Sequence, residues 1–180
     1  MSQTAKLLII LGTPASGKTT LARRLSAHLS WPLLCKDDIK EALFDALGQG
    51  DRAWSRRLSE ASFATLARLA LAQLSAGQSC IVEGNWRALH APALEQVLLG
   101  GAARAAQICC RAEPQEIVRR FTQRRRHAGH LDALLPRAQL EQAAREPAAF
   151  LALAGPRLVF MSDAPEAFAR LLAELESCLL

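Results

Sequence analysis

Lys18, Asp37, Glu83 and a run of arginines between Arg119 and Arg126 are the side chains of this 180-residue chain whose surroundings suggest chemistry. Lys18 is the most informative. It sits in Gly12-Thr13-Pro14-Ala15-Ser16-Gly17-Lys18-Thr19, the pattern G-x-x-x-x-G-K-[ST], with Thr20 following. The apolar run Leu7 to Leu11 before it reads as a buried parallel strand, and Leu21 to Leu25 after it as the opening of an amphipathic helix. The glycines let successive backbone N–H groups turn inward on phosphate oxygens, and the helix start adds the positive end of its dipole. In that setting Lys18 is a mobile cation for β- and γ-phosphates. Thr19 offers its hydroxyl to Mg²⁺, and Gly12 to Thr20 form the nucleotide-binding set.

Asp37-Asp38 is the second signal. A hydroxyl that attacks a phosphoryl group must lose its proton, and a carboxylate held against it can orient the oxygen and take that proton. Asp37 follows the apolar stretch Trp31-Pro32-Leu33-Leu34-Cys35, which reads as a second strand. This places it on the rim of the sheet where ligands bind in open α/β folds. Asp37 is therefore expected to be the base, and Asp38 to cap the helix that follows. Lys40, one helical turn on, is in reach of an acceptor or a transferring phosphate.

The elements that must hold these groups alternate. A helix is predicted from Ile39 to Leu47, ended by Gly48 and Gly50. A long helix capped by Asp51 carries Leu58, Phe63, Leu66, Leu69 and Leu74 and stops at Gly77. A third strand is expected at Ser79–Val82, a helix from His90 to Leu99, and a fourth strand at Ala105–Cys110. A helix from Glu113-Pro114 is interrupted by Gly129, and another follows Pro136. A fifth strand spans Leu158–Met161, and a last helix starts at Asp163-Ala164-Pro165. Five strands alternating with helices predict an α/β fold: a doubly wound, five-stranded parallel sheet with helices on both faces. One domain, 1–180, is expected.

Composition narrows the class. Half the residues are hydrophobic, which excludes general disorder, and the net charge of +5 suits an anionic ligand without arguing for nucleic acid. The five cysteines are odd in number and lack C-x-x-C spacing, so neither a zinc site nor a disulfide framework is indicated. With no leader or membrane-length apolar run, the expectation is a cytoplasmic protein with no membrane partner. The chain has no N-K-x-D sequence to read guanine, no L-S-G-G-Q signature, and no strand that ends in four apolar residues followed by paired acids. What remains is an enzyme that moves a phosphoryl group to a small acceptor.

Gly12 to Thr20, then Lys36-Asp37-Asp38-Ile39-Lys40, then the Arg-rich stretch, resemble the small P-loop kinases. That group includes polynucleotide 5′-hydroxyl kinase, chloramphenicol phosphotransferase, gluconate kinase and zeta-type kinases. The resemblance implies a nucleotide-kinase-like fold with a small helical lid at about 119–135. It also implies that Asp37 is the general base and that Lys40 contacts the acceptor, although Lys stands where the D-D-x-R pattern has Arg and loses bidentate phosphate geometry. Glu83-Gly84-Asn85-Trp86-Arg87 replaces the Asp-x-x-Asn of many relatives. Glu83 then either serves the metal site with Thr19 or contacts the acceptor, and Asn85 and Arg87 belong to the acceptor pocket. Trp86 reads as packing or as a stacking platform.

In these kinases an R-x-x-x-R helix followed by R-H-x-G-H forms the lid. Arg120 and Arg124 are therefore expected over ATP, with Arg124 on the transferring group. The other reading of these arginines is a basic surface or nucleic-acid patch. His127 and His130 are read as packing within the lid rather than as a metal pair. Asp163 is read either as part of the adenine site or as a helix cap. The expectation is an ATP- and Mg²⁺-dependent kinase for a hydroxyl of a small molecule or a nucleic-acid end. The alternatives are a nucleotide-gated module that controls a partner, and plain ATP hydrolysis. The acceptor and the oligomeric state are not legible.

Overall fold

The computed structural model describes residues 4–130, 136–146 and 148–179. Five strands form one parallel sheet: β1 Lys6–Gly12, β2 Leu33–Cys35, β3 Cys80–Glu83, β4 Arg104–Arg111 and β5 Arg157–Met161. Their spatial order is β2-β3-β1-β4-β5. All seven residues of β1 are buried, as a central strand covered on both faces requires. Register pairs Ile10 with Glu83 on one side and Gly12 with Cys110 on the other. The carboxyl ends of β1, β3 and β4 thus meet on one rim.

The helices are α1 Lys18–Leu29, α2 Lys36–Leu47, α3 Arg52–Ser75, α4 Ala91–Gly100, α5 Pro114–Gln123, α6 Arg137–Arg145 and α7 Ala167–Cys178. Alternate residues of β1 face opposite layers. Leu7, Ile9 and Leu11 pack with Leu66 and Leu74 of α3 and Leu94 and Val97 of α4. Leu8 and Ile10 pack with Leu21 and Leu25 of α1 and Leu171 and Leu175 of α7. This is the doubly wound sheet that the alternation predicts. Among the described residues no helix is long and apolar enough to cross a membrane.

Several boundaries differ from the sequence reading. β2 has three residues, and α2 begins at Lys36 rather than Ile39, so Asp37 and Asp38 lie in its first turn. Two acids there complement the helix dipole, and no turn residue separates them from the strand. Asp38 is not the cap: Cys35 occupies that position and no side chain closes it. Asp51 does cap α3, accepting from the Trp54 N–H at 2.7 Å. Leu69 falls off the apolar stripe of α3, which runs Leu58, Ser62, Leu66, Ala70, Leu74, and is 44 % exposed. His90 closes a short 3-10 turn, Ala88–His90, before α4.

α5 stops at Gln123, well before Gly129, and Arg124 adopts extended backbone (φ −75°, ψ 138°). Arg124 lies 4.4 Å from the Phe121 ring centre, and Arg126 reaches Asp37. α7 begins after Glu166, not at Asp163. Of the expected lid segment, residues 131–135 lie outside the described residues.

Candidate active site

The loop between β1 and α1 is closed to side chains at the two glycines of its G-x-x-x-x-G-K-[ST] pattern. At Gly12 (φ 152°) a Cβ would lie 2.5 Å from the Cys110 carbonyl oxygen and 2.6 Å from Ser16 Oγ. At Gly17 (φ 92°) it would lie 2.8 Å from Ser162 Cβ. Ala15 also takes positive φ, 63°, so the backbone between the glycines curls on itself. α1 has no side-chain cap and no acid in its first turn. Its first N–H groups therefore face the loop cavity without an internal acceptor. Ser16 is fully buried, and its hydroxyl has no protein partner. Lys18 Nζ folds back to donate to the Thr13 carbonyl at 2.9 Å. Burial depresses the Lys18 pKa, while Glu83, Cys110 and Asp37 oppose that shift. A curled backbone, uncapped amides and a buried hydroxyl make a cradle fitted to phosphate oxygens.

Glu83 is 3 % exposed and closes β3 beside this cradle. Its Oε2 accepts from Thr19 Oγ1 at 3.2 Å and from Cys35 Sγ at 2.7 Å. Burial, reinforced by Glu83, pushes the Cys35 thiol far above its usual range, so it is a neutral donor. Thr19 and Glu83 thus present hard oxygens side by side, a donor set suited to Mg²⁺.

Asp37 stands across the same cavity. Lys36 Nζ donates to its Oδ1 at 3.1 Å, and Arg126 donates to its Oδ2 at 2.9 Å. Burial alone would raise this carboxyl; Lys36, His130 and Arg126 outweigh it and hold the pKa at about 2. Lys40 donates to Ser55 Oγ of α3 at 2.8 Å. The segment after α5 is docked on α2 at two further points. His130 Nε2 lies 2.8 Å from Glu41 Oε1, and His127 Nε2 lies 3.0 Å from Asp45 Oδ1. The cavity has a volume of about 580 Å³.

The model of the family described as an AAA domain matches residues 7–148. The chain belongs to this family of P-loop kinase-like proteins. A candidate kinase from Chloroflexus aurantiacus is 34 % identical, with a TM-score of 0.88 over 99 % of this chain and 100 % of that one. A sugar kinase from Janibacter sp. is 17 % identical (TM-score 0.63, covering 97 % and 95 % of the two chains). The APS kinase of Mycobacterium tuberculosis, solved with AMPPNP and APS, is 18 % identical (TM-score 0.60, covering 96 % and 98 %). At these lower identities the likeness is one of fold. Among curated proteins none matches the chain in sequence.

Within the P-loop kinase-like frame, the structure brings Pro14, Ala15, Gly17 to Thr20, Asp37, Lys40, Glu83, Asn85, Arg120 and Arg124 to the lining of one cavity. Gly12, Thr13 and Ser16 shape the loop from beneath. Arg120 is oriented by two bonds, Nε to Glu116 Oε1 and Nη1 to Ser162 Oγ, at 2.6 and 2.7 Å. Arg87 is exposed and stands outside the lining. Asp163 also stands outside: its carboxylate accepts from the Glu113 N–H at 2.8 Å, at the start of α5. It therefore does not cap the last helix. Trp86 is buried against Phe63 and His90, with ring centres 4.9 and 5.7 Å away. That is packing, not a platform.

Sequence reasoning passed over Lys36, Ser59 and Ser162, and gave Arg126 no role apart from its neighbours, yet all four line the cavity. Lys36 had a signal: a cation directly between an apolar strand and two acids. Ser59 and Ser162 had none, being ordinary residues brought in by α3 and by the turn after β5.

Proposed function

We propose that the chain is an ATP-dependent kinase that transfers the γ-phosphoryl group to a hydroxyl of a small molecule or a nucleic-acid end. The observation that carries this reading is a carboxylate, Asp37, facing the phosphate cradle across one cavity. A site that only gated a partner would have no use for it. The loop from Gly12 to Thr20 holds the triphosphate, Lys18 serves the β- and γ-phosphates, and Arg120 and Arg124 serve charge on the transferring group. Thr19 and Glu83 would hold Mg²⁺, which when bound neutralises phosphate charge as the leaving group departs.

Asp37 orients the acceptor hydroxyl. The acceptor oxygen bonds to the γ-phosphorus, the bond to the bridging oxygen breaks, ADP leaves, and the hydroxyl proton passes to Asp37. With a pKa of about 2, Asp37 is ionised at neutral pH but is a weak proton acceptor. Its main work is orientation, with proton transfer late in a loose transition state. A location in the cytoplasm, where ATP is available, accords with five unbridged cysteines.

The test is incubation with γ-labelled ATP and a panel of hydroxyl acceptors. Label is expected on an acceptor with the natural chain and not with Asp37→Asn. Release of labelled phosphate alone, unaffected by Asp37→Asn, overturns the reading in favour of hydrolysis.

A further inference from the structure

Asp37 accepts a bond on each of its oxygens, and the two donors differ in kind. Lys36 Nζ donates to Oδ1 at 3.1 Å, and Arg126 donates to Oδ2 at 2.9 Å. Lys36 is held from several sides. It is the first residue of α2 and directly follows Cys35, which pairs with Glu83 across the sheet and donates its thiol to that carboxylate. The Lys36 side chain is only 5 % exposed. Its stem packs under Gly84, where a Cβ would lie 3.2 Å from Lys36 Cβ, and its Nζ lies 5.9 Å from the Phe63 ring centre. An ammonium kept from water is costly unless an anion answers it, and Asp37 is such an anion in the same helical turn.

Arg126 reaches the same carboxylate from another part of the molecule. It is 89 residues away in sequence, in the stretch after α5 that lies outside helix and strand. Its side chain is 20 % exposed. A guanidinium carries five donors and can trade one acceptor for another as a ligand enters. The bond to Oδ1 is therefore built into the frame, and the bond to Oδ2 is exchangeable.

This difference matters because the last torsion of an aspartate is soft. A carboxylate free to turn presents its oxygens over a wide range of directions, and catalysis by orientation needs one. Fixing one oxygen fixes the direction of the other.

We infer that Lys36 is a positioning residue: it pins Oδ1 of Asp37, so that Oδ2, covered by Arg126 in the free protein, is the oxygen that receives the acceptor hydroxyl. The inference rests on the kinase reading and deepens it. The acceptor oxygen bonds to the γ-phosphorus, the bond to the bridging oxygen breaks with ADP as leaving group, and the hydroxyl proton passes to Oδ2. Lys36 touches no substrate in this account and acts through Asp37.

The test is a cycle of four proteins, the natural chain, Lys36→Met, Asp37→Asn and the double variant, assayed with γ-labelled ATP and an acceptor that the natural chain labels. Lys36→Met should lower kcat about 10–100-fold, the range of one charge-assisted hydrogen bond, while KM for ATP and for the acceptor changes less than about threefold. In the Asp37→Asn background the same substitution should cost less than about threefold, because no carboxylate is left to direct. An equal loss in both backgrounds, or a loss carried by KM alone, means that Lys36 meets the substrates itself. Either result overturns the inference and leaves the kinase reading standing. In an Arg126→Met background Lys36→Met should still cost about 10–100-fold; disappearance of its effect there overturns the assignment of the two oxygens.

If no acceptor is labelled, the kinase reading fails, and melting decides separately whether Lys36 holds Asp37. With Mg²⁺ and a non-hydrolysable ATP analogue saturating, Lys36→Met and Asp37→Asn each remove the same pair. The double variant should therefore lose about 1–3 °C less than the sum of the two single losses. Additive losses overturn the pinning of Asp37 by Lys36.

Discussion

The two ends of the cavity are built by different means. At the phosphate end the defining contacts are short in sequence: Lys18 reaches Thr13, five residues away, and the walls are backbone curled through Gly12 and Gly17. At the acceptor end they are long: Arg126 to Asp37 and His130 to Glu41 each span 89 residues. On the proposed reading the first end would take a group common to all such kinases, with backbone amides that substitution cannot remove, and the second would take a group that differs among them, with side chains joined in exchangeable ion pairs. A local motif can therefore fix the nucleotide end while the acceptor end is reassembled around it.

The sharpest break in this comparison is Lys18→Ala. A phosphate contact inside an enclosed site is worth several kcal/mol in the transition state, so kcat/KM should fall about 10³-fold or more with the circular dichroism spectrum unchanged. Near-normal turnover in this variant removes the phosphate end from the account. Asp37→Asn tests the other end. Here kcat should fall roughly 10²–10⁴-fold, while ATP affinity measured by calorimetry changes little, because Asp37 faces the acceptor. Asp38→Asn should cost far less. A larger loss at Asp38 than at Asp37 puts the acceptor end on the wrong carboxylate.

The same contrast explains what the sequence disclosed. The phosphate loop was legible because strand, glycines, Lys18 and helix start are contiguous and each has one physical use there. The sheet was legible because buried strands between helices leave apolar runs such as Leu7 to Leu11. The acceptor end was half legible. Asp37 was visible from its place after a strand. Its clamp by Lys36 and Arg126 was not, because no periodicity links positions 37 and 126. Arg87 looked like a pocket residue because it follows Glu83 closely, but the 3-10 turn at Ala88–His90 leaves it exposed. Asp163 read either as part of an adenine site or as a cap for the helix after it; it is not that cap, and its carboxylate accepts from the start of α5 from across the β4–β5 edge.

A smaller effect concerns motion. The described part of the lid segment is docked on α2 through Asp37, Asp45 and Glu41, and on the turn after β5 through Ser162. Its arginines lie close together and gain a further anionic partner when a triphosphate arrives. Hydrogen exchange should show protection rising about tenfold between Arg120 and His130 on adding a non-hydrolysable ATP analogue, together with protection at Lys18. Protection confined to the phosphate loop separates the two ends dynamically and reduces the arginines to a surface patch.

The smallest expected effect, on stability, asks whether the acceptor end is self-paired before any ligand arrives. The Asp37 pKa of about 2 in the folded chain lies below the ordinary aspartate value of about 3.9. The unfolded chain therefore takes up this proton first as pH falls. The stability that the Lys36–Asp37–Arg126 cluster contributes is fully present above the unfolded value, and it is lost as pH drops through the folded one. The Asp37 side chain is 39 % exposed, so solvent screens the pairs and the contribution is modest. The natural chain should melt about 1–3 °C above Asp37→Asn at pH 7, and the gap should close as pH approaches 2. Added salt at pH 7 should narrow it as well, because these pairs are partly open to solvent. A gap that is the same at pH 7 and near pH 2 means that Arg126 does not rest on Asp37 in the free protein. The acceptor end would then be formed only by its ligand, and its contrast with the preformed phosphate cradle would be sharper still.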